Sequence, residues 1–460
     1  MIKSVNSLFR RARLARDPYY DGEFFIAVKS TGIFCRAICP AKLPMEKNVR
    51  YFAARETAIS AGYRPCYRCK PELISHSRQL LMPIPAVLTE IVSDIRSGIL
   101  LTQSVHDISV YYGISEDELN WMFMKNFNIP VDLFLEINRA LWANNLLFNT
   151  NLSAREIVCL CGYETENMMF SAINQYFKYM NKQVETQIEL KESNNPEEYI
   201  RINIPYPYPY DWHHFLDFQY KRLIKNVEDI HGETYRRNIR FNGRQGFFQI
   251  TPESGNVFNL QFSRNFLPVM LELINHIKSM FGLDTNITQI ERMLSEHFPK
   301  LYVAAGLHIP GVFSSFEAGI RAICGQQVSV TAATSLLNQF CDIFLEEDRA
   351  GNKYFPLPSN ISEAGIAKMR TTNSRKSTLY AFSDWCSKND IEKNPDDLLS
   401  IRGVGKWTVN YIKLRALHDP DVWMGGDLGI KNALTKIGDI DETTASPWRS
   451  YLSIHLWNNL

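Results

Sequence analysis

Two pairs of closely spaced cysteines constrain the N-terminal part of the chain more than any other feature. Cys35 and Cys39 flank three residues, Cys66 and Cys69 flank two, and 27 positions separate Cys39 from Cys66. This spacing is typical of a four-thiolate zinc site that closes a small domain. Because residues 1–80 contain little else that could bury a large core, the metal would supply on the order of 10 kcal/mol of folding free energy. The spacing alone leaves open whether the zinc does more than stabilise the fold.

The composition favours a soluble protein in a reducing compartment. No apolar run approaches the roughly 18 residues that a membrane span needs, and residues 1–16 lack the continuous apolar stretch of a signal peptide. We therefore expect a cytoplasmic protein without membrane contact, in which disulfides are the disfavoured alternative and the nine cysteines are thiols or metal ligands. A length of 460 residues predicts about three domains.

Charge is distributed unevenly along the chain although the formal net charge is only +1. Residues 1–80 contain 15 Lys and Arg against 6 Asp and Glu, whereas residues 81–200 contain 7 against 16. The remaining residues are almost neutral, with 28 against 27. The first segment is therefore expected to bind a polyanion, and the second is not.

Changes in charge, proline content and periodicity divide the chain into modules. We predict a multidomain protein, mainly α with small α+β parts. The predicted boundaries are 1–80 for a zinc domain, 85–185 for a helical domain, 186–200 for an acidic linker, 201–285 for an α+β domain with an antiparallel sheet, and 286–460 for an all-α domain.

Local patterns support this division. In the second module, Gly113 and Gly162 each follow an apolar helix and precede another, which is helix-turn-helix spacing. Alternating segments such as "NIRFNGRQGFFQI" and "NVFNLQFS" predict antiparallel strands. Farther on, "FEAGIRAICGQQVSVTAATSLLNQF" reads as one long amphipathic stretch ending near Phe340, and Asn394-Pro395 predicts a helix start.

The residues around the cysteines resemble the methylphosphotriester repair domain of the Ada family, through "DGEFFIAVKSTGIFCRAICPAKLP" and "AGYRPCYRCKPE". The resemblance implies one Zn²⁺ held by Cys35, Cys39, Cys66 and Cys69, with Cys35 also the nucleophile that accepts a methyl group from a methylated backbone phosphate. A zinc-bound sulfur stays a thiolate at neutral pH, as that chemistry needs. The implied DNA backbone contacts are Thr31, Arg36, Lys42, Arg64 and Arg68.

The second module resembles the AraC-type DNA-binding region, in the phrase "LLFNTNLSAREIVCLCGYETENMMFSAINQYFKYMNKQ". Its presumed recognition helices begin with carboxylates, in residues 115–118 and 164–166, where that family usually carries basic and small polar residues. Carboxylates close to phosphates would repel DNA. Two interpretations follow, a transcriptional regulator of an alkylation response and a helical spacer between two repair modules.

The C-terminal half resembles the helix-hairpin-helix glycosylases, and most closely the AlkA type of 3-methyladenine DNA glycosylase, over about residues 203–460. The hairpin "IRGVGKW" carries Gly403 and Gly405, whose backbone amides at a helix start can bind a phosphate. The segment "DVWMGGDLGIKNAL" follows, and its Asp427 matches the family's catalytic carboxylate. The alternative for Asp427 is a helix N-cap, which is common for Asp after Gly-Gly.

An excising enzyme must extrude its base into a pocket and fill the gap with a wedge. By the same resemblance Ile309 is the wedge, and four aromatic residues line the pocket: Phe218, Trp407, Tyr411 and Trp457. Aromatic rings would favour cationic N-alkylated purines through cation–π attraction. The alternatives are that each ring is ordinary core and that Ile309 anchors a loop.

Absent motifs narrow the class further. No cysteine follows Cys386, so an iron–sulfur cluster is not expected, and no Pro-Cys-His-Arg motif is present for O6-methylguanine repair. Trp407 occupies the position of the Schiff-base lysine of lyase-type members, and Lys406 is one residue away, which implies a monofunctional glycosylase. We expect a monomeric bacterial protein acting on double-stranded alkylated DNA. The alternative is a methylation-responsive regulator whose C-terminal half only adds DNA affinity.

Overall fold

The computed structural model describes residues 2–73, 84–178 and 198–459, with side chains from residue 7 onward. Most of the predicted linker 186–200 lies outside the described residues. The chain forms two compact units, Met1–Asn203 with Leu267–Glu272, and Ile204–Phe266 with Leu273–Leu460. Within the described ranges, no helix has the length and apolar composition that crossing a bilayer requires.

The first unit begins with a helix and a small sheet. Helix α1 (Ile2–Ala15) precedes four strands, β1 (Phe25–Val28), β2 (Ile33–Cys35), β3 (Val49–Phe52) and β4 (Arg64–Pro65), with the short helix α2 (Arg55–Ser60) between the last two. Their order is β3-β1-β2-β4, with Ile26 opposite Cys35 and Phe34 parallel to Pro65. The pairing of β2 with β4 brings the two cysteine pairs together, because Cys35 ends β2 and Cys66 directly follows β4.

Six helices complete the first unit: α3 (Ala86–Ser97), α4 (Val105–Tyr112), α5 (Glu116–Phe127), α6 (Val131–Asn149), α7 (Ala154–Cys161) and α8 (Glu166–Phe177). Ser104 and Ser153 start α4 and α7 with capping boxes, and both helices end on glycines with left-handed backbone, Gly113 at φ 67° and Gly162 at φ 71°. Each of the two predicted segments therefore contains two helices joined at a glycine, α4–α5 and α7–α8.

A buried ion cluster joins the zinc-binding part of this unit to its helices. Glu56 in α2 is fully buried and accepts hydrogen bonds from Arg96 of α3 at 2.7 and 2.9 Å and from Arg55 at 3.1 Å. Arg55 also donates to Asn138 of α6 at 3.1 Å. Burial alone would raise the pKa of Glu56, but Arg96 and Arg55 lower it to about 2. The carboxylate thus joins α2 to α3, and Arg55 joins α2 to α6.

The second unit contains an antiparallel sheet beside a helix. Its strands are β5 (Tyr199–Pro205), which begins before the unit boundary, β6 (Glu228–His231), β7 (Thr234–Phe241), β8 (Arg244–Glu253) and β9 (Val257–Ser263), in the order β5-β9-β8-β7-β6. Phe248 lies opposite Arg237 on one side and Phe262 on the other. Helix α9 (Trp212–Tyr220) precedes β6 and carries Phe218. The predicted strands are confirmed.

The rest of the second unit is helical: α10 (Met270–Met280), α11 (Ile287–His297), α12 (Ser315–Gly325), α13 (Val330–Phe344), α14 (Glu363–Ala367), α15 (Asn373–Lys388), α16 (Lys406–Arg415), α17 (Leu428–Ile437) and α18 (Arg449–Asn458). Two predictions were wrong. The amphipathic stretch near Phe340 is broken into α12 and α13, where Gln327 has φ 56°, and the module is not all-α, because β10 (Glu346–Glu347) pairs with β11 (Lys353–Tyr354). Asn394-Pro395 opens a short 3₁₀ helix.

A buried four-residue ion network joins the sheet of this unit to α12. Glu228 of β6 accepts from Arg237 of β7 at 2.7 Å and from Arg321 of α12 at 2.9 Å, and Glu317 accepts from both arginines. All four side chains are at most 5 % exposed. Since each carboxylate meets two guanidinium groups, the charges are paired on every side, which is the condition for burying ions at all.

Candidate functional site

The four cysteines of the first unit form one cluster. Their sulfur atoms all lie within 4.8 Å of one another, and Sγ of Cys39 is 4.0 Å from Sγ of Cys66. A tetrahedral zinc with bonds of about 2.3 Å separates its sulfurs by about 3.8 Å, so the cluster fits one Zn²⁺. Cys39, Cys66 and Cys69 are buried, whereas Cys35 is partly exposed. Cys35 is therefore the least buried of the four cysteine residues.

Arg36 holds the segment that follows Cys35. Its backbone N–H donates to Sγ of Cys69 at 3.4 Å, and its guanidinium forms a two-point ion pair with Asp21. The guanidinium also donates to the backbone oxygen of Cys69 at 3.4 Å, so all of its hydrogen bonds are internal. The phosphate contact predicted for Arg36 receives no support from this placement.

The other predicted backbone contacts lie nearer to solvent. Thr31, Lys42 and Arg68 are exposed. Arg64 is half-buried, with its guanidinium carbon 4.3 Å from the centre of the Tyr67 ring. These four residues surround the cluster in sequence, and three of them carry positive charge toward the solvent.

The zinc knuckle between Cys66 and Cys69 also contacts the second helix pair. Tyr67 lies inside this knuckle, and its hydroxyl donates to the backbone oxygen of Phe177, the last residue of α8, at 3.2 Å. Lys178, which caps α8, donates from Nζ to the oxygen of Gly62 at 2.8 Å. The end of α8 is therefore attached to the zinc-binding part at two points.

The exposed faces of the two second helices differ in chemistry. Helix α5 exposes the carboxylates of its first turn, residues 116–118, together with Trp121. Helix α8 exposes Asn167, Ser171 and Gln175, one every four residues on a single face. The carboxylates lie at the starts of both helices, where the sequence places them, whereas the exposed face of α8 farther along the helix is uncharged.

The glycine hairpin of the second unit is held by α12 and α15. Gly403 has φ 92°, and a Cβ there would lie 2.1 Å from Oγ1 of Thr378, so only glycine fits. Gln326, just after α12, donates from Nε2 to the oxygen of Gly403 at 2.9 Å and to Oγ1 of Thr408 at 3.1 Å. Gly405 is exposed and caps the start of α16, which leaves backbone amides pointing outward.

Asp427 has a cap role and a second set of partners. Its Oδ1 accepts from the backbone N–H of Gly429 at 2.8 Å and Ile430 at 3.3 Å, which caps α17. Indole Nε1 of Trp457 donates to the same oxygen at 2.9 Å, and Nε1 of Trp407 donates to Oδ2 at 3.0 Å. The side chain is half-buried. Asp427 is thus a helix N-cap, as the alternative interpretation predicts. The two hydrogen bonds from indoles go beyond what a helix cap requires.

The four predicted pocket rings, here called the aromatic group, are all half-buried, and contacts link three of them. The Trp407 and Tyr411 rings lie 5.5 Å apart in α16. Arg415 donates to the Tyr411 hydroxyl at 2.8 Å, and its guanidinium carbon is 4.7 Å from the centre of the Phe218 ring. Trp457 joins the group through Asp427. Sequence reasoning missed Arg415, because only the folded chain brings α9 beside α16.

The predicted wedge residue does not project from the surface. Ile309 is 5 % exposed and packs in a core cluster with Leu307, Leu414 and Met424. This placement agrees with the alternative of a loop anchor. The Lys406 side chain is exposed at the first position of α16, and the neighbouring Trp407 is the side chain that reaches Asp427.

Comparison with known proteins identifies two segments. Residues 9–72 match the family model of the metal-binding domain of Ada, and residues 201–314 match that of the AlkA N-terminal domain. Both resemblances seen in the sequence are thereby confirmed, together with the zinc site. The AraC-type resemblance of the helices between them stays a prediction.

Individual relatives match this chain over its whole length or over one part of it. A Mycobacterium tuberculosis protein named "Probable bifunctional transcriptional activator/DNA repair enzyme AlkA" is 24 % identical over 98 % of this chain and 95 % of its own length. The Escherichia coli "DNA-3-methyladenine glycosylase 2" is 26 % identical over 54 % of this chain and 93 % of its own. The Escherichia coli "Bifunctional transcriptional activator/DNA repair enzyme Ada" is 43 % identical over 18 % of this chain and 26 % of its own.

Proposed function

We propose that this chain, a homologue of the bifunctional Ada and AlkA repair proteins, repairs alkylated DNA in the bacterial cytoplasm by excising damaged bases and by accepting methyl groups from backbone phosphates. The observation that carries the first activity is the Asp427 carboxylate, which two indole N–H groups and two backbone amides hold within the aromatic group. Such a fixed anion is suited to stabilising positive charge that develops on a sugar.

The two carboxylate oxygens of Asp427 differ in how many hydrogen bonds they accept. Oδ1 accepts three donors, whereas Oδ2 accepts one among the described residues. Oδ2 therefore keeps acceptor capacity and is the oxygen that faces the extruded nucleotide. As the C1′–N bond breaks, the base leaves with the bonding electrons and the carboxylate stabilises the cationic sugar. Water then adds to C1′ and loses a proton, which leaves an abasic site.

The glycine hairpin holds the DNA backbone during this reaction. Exposed amides at the start of α16, beside Gly403 and Gly405, accept a phosphate without reading any base. Trp407 lies in the first turn of the same helix and donates to Asp427. The hairpin thus fixes the phosphate relative to the catalytic carboxylate, because one rigid helix carries both contacts.

The excision activity is tested with Asp427→Asn. We expect release of 3-methyladenine from alkylated duplex DNA to fall at least about 100-fold, because the charge is lost while the shape is kept. DNA affinity should be retained. Asp441→Asn is the matched control, since Asp441 also caps a helical turn but has no indole partner among its hydrogen bonds. Unchanged release in Asp427→Asn would refute the activity.

The exposure of Cys35 supports the methyl-acceptor activity. Its sulfur attacks the methyl carbon of a phosphotriester, the carbon–oxygen bond breaks, and the phosphodiester leaves with the electron pair, so that a stable thioether remains. Bound zinc keeps the sulfur in the thiolate form. Thr31, Lys42, Arg64 and Arg68 would hold the flanking phosphates, and Arg36 would orient the loop.

Transfer of labelled methyl from alkylated poly-dT tests this activity. Cys35→Ser should abolish labelling of the protein. Cys159→Ser is the matched control, because Cys159 is exposed but lies outside the zinc cluster. Full labelling of the Cys35→Ser protein would contradict the nucleophile assignment.

A second candidate function, a methylation-responsive DNA-binding regulator, is favoured by α8. Its exposed face carries neutral hydrogen-bonding side chains, and its last turn is attached to the zinc knuckle. Methylation of Cys35 removes one negative charge from the cluster and lessens repulsion of DNA. Gel shifts with methylated and unmethylated protein across a salt series should then show tighter binding after methylation, and equal affinities would exclude this function.

A further inference from the structure

Two arginines contact the same ring of the aromatic group. The guanidinium carbon of Arg222 lies 3.7 Å from the centre of the Phe218 ring, and that of Arg415 lies 4.7 Å from it. Arg415 is also 5.4 Å from the centre of the Tyr411 ring and donates to the Tyr411 hydroxyl. The π electrons of Phe218 and Tyr411 are therefore already engaged by cations of the protein itself.

Neither arginine has a carboxylate within 4 Å in the described part of the chain. Arg222 donates to the backbone oxygen of Phe218 at 2.9 Å, and Arg415 donates to the backbone oxygen of Pro310. Burial lowers the pKa of Arg222 to about 10, so Arg222 stays charged at neutral pH, and burial also lowers the pKa of Arg415. Their positive charges are thus not cancelled by direct ion pairs.

The tryptophan side of the group has the opposite character. Trp407 and Trp457 each donate an indole N–H to the Asp427 carboxylate. A hydrogen bond to an anion increases the electron density of an indole ring, so this side attracts a positively charged base. The aromatic group is therefore split between a side backed by a carboxylate and a side backed by two guanidinium groups.

We propose that Arg222 and Arg415, through Phe218, make one side of the base pocket unfavourable for positively charged bases and so determine specificity between cationic and neutral damaged purines. This inference rests on the proposed excision activity. A cationic base beside Phe218 competes with two guanidinium groups for the same ring and is repelled by them. A neutral purine stacked there avoids that repulsion. The two arginines, and not the number of aromatic rings, therefore determine the preference between cationic and neutral purines.

The test compares two purines of similar shape and different charge in otherwise identical duplexes, cationic 7-methylguanine and neutral hypoxanthine. Arg222→Met removes the charge and keeps an unbranched chain. We expect the ratio of kcat/KM for 7-methylguanine to that for hypoxanthine to rise roughly fivefold. Arg222→Lys restores the charge and should return the ratio toward the wild-type value. If the Met variant does not fold, Arg222→Gln carries the same expectation.

Arg236→Met is the matched control, because Arg236 stacks at 3.8 Å on Phe247 in the sheet and contacts no member of the aromatic group. Its ratio should equal that of the wild type. An equal loss for both substrates in Arg222→Met would assign Arg222 to DNA backbone binding and overturn the proposal, as would a Lys variant that behaves like the Met variant. A wild-type chain that releases neither base contradicts the excision activity itself and the inference with it.

Discussion

Trp457 and Asp427 are joined by a hydrogen bond of 2.9 Å from the indole nitrogen to Oδ1, the oxygen that also caps α17. The cap and the indole together fix the carboxylate from two directions. The proposed excision activity needs an anion that is held in place before the reaction begins, so we expect the loss of this bond to slow base release.

Trp457→Phe should lower kcat for base release about tenfold, since it removes a hydrogen bond to a charged group and keeps most of the ring. Trp448→Phe is the matched control. Trp448 directly precedes α18, the helix that contains Trp457. Its Nε1 is buried and has no hydrogen-bond partner in the described structure. Single-turnover release should be unchanged in this control, and an equal loss in both variants would show that the effect comes from packing.

Gly403→Ala should weaken binding of undamaged duplex DNA roughly tenfold, because a Cβ at φ 92° collides with Thr378 and distorts the hairpin. Gly405→Ala places its Cβ in open space and should leave the hairpin intact. Fluorescence anisotropy at fixed salt measures both affinities. Equal affinities in the two variants would mean that the hairpin does not hold the backbone.

Cys66→Ser should lower the zinc content well below one per chain and unfold the first unit, because one of four ligands is lost from the metal that stabilises it. Cys161→Ser alters another buried cysteine of the same unit, outside the cluster, and should keep the zinc. Metal analysis and thermal unfolding report the two effects. Retained zinc and an unchanged Tm in Cys66→Ser would contradict the site.

We expect the buried His308 to contribute to the acid sensitivity of the second unit. Burial lowers its pKa to about 4, whereas an unfolded histidine has a pKa near 6.5. The unfolded state therefore binds the proton first as pH falls, and stability is lost between about pH 6.5 and 4. At pH 5 this amounts to about 2 kcal/mol. His308→Phe keeps a ring stacked on Tyr210 and should reduce the loss between pH 7 and 5 by that amount in urea unfolding.

His297→Phe provides the control for this pH experiment, because His297 is exposed and its ring gains nothing from burial. The change in unfolding free energy between pH 7 and 5 should then match the wild type. A His308→Phe protein with the full acid sensitivity of the wild type would show that other buried groups cause it.

Features that depend on a few neighbouring residues were predictable from the sequence. The cysteine spacing sets the reach of a four-ligand site, and Gly113 and Gly162 occupy the left-handed positions that end helices. The break between α12 and α13 was missed although local residues mark it, since α12 ends at Gly325 and Ser329 caps the start of α13. The hydrogen bond from Gln326 to Gly403 in this break could not be read from the sequence, because the two residues are 77 positions apart.

The candidate site divides in the same way. Asp427 and the four rings were found by their match to family positions, but their electrostatics were not. The contacts that make a residue part of a site could not be read from its sequence neighbours in three cases, Arg222, Arg415 and Asp21. Ile309 was assigned as the wedge from its matching position, but its side chain is buried. A matching position does not determine whether a side chain projects into solvent or packs in the core.

The ion cluster around Glu56 limits where the chain can be divided into fragments that fold. A fragment ending at residue 80 keeps Glu56 and Arg55 but loses Arg96 and Asn138, so a carboxylate designed for two guanidinium groups retains one, and a buried arginine loses its amide. A gene rearrangement that transferred only the codons of residues 1–80 would therefore produce a zinc domain that lacks part of its buried ion cluster. The metal-binding part therefore depends on α3 and α6 for the partners of its buried charges.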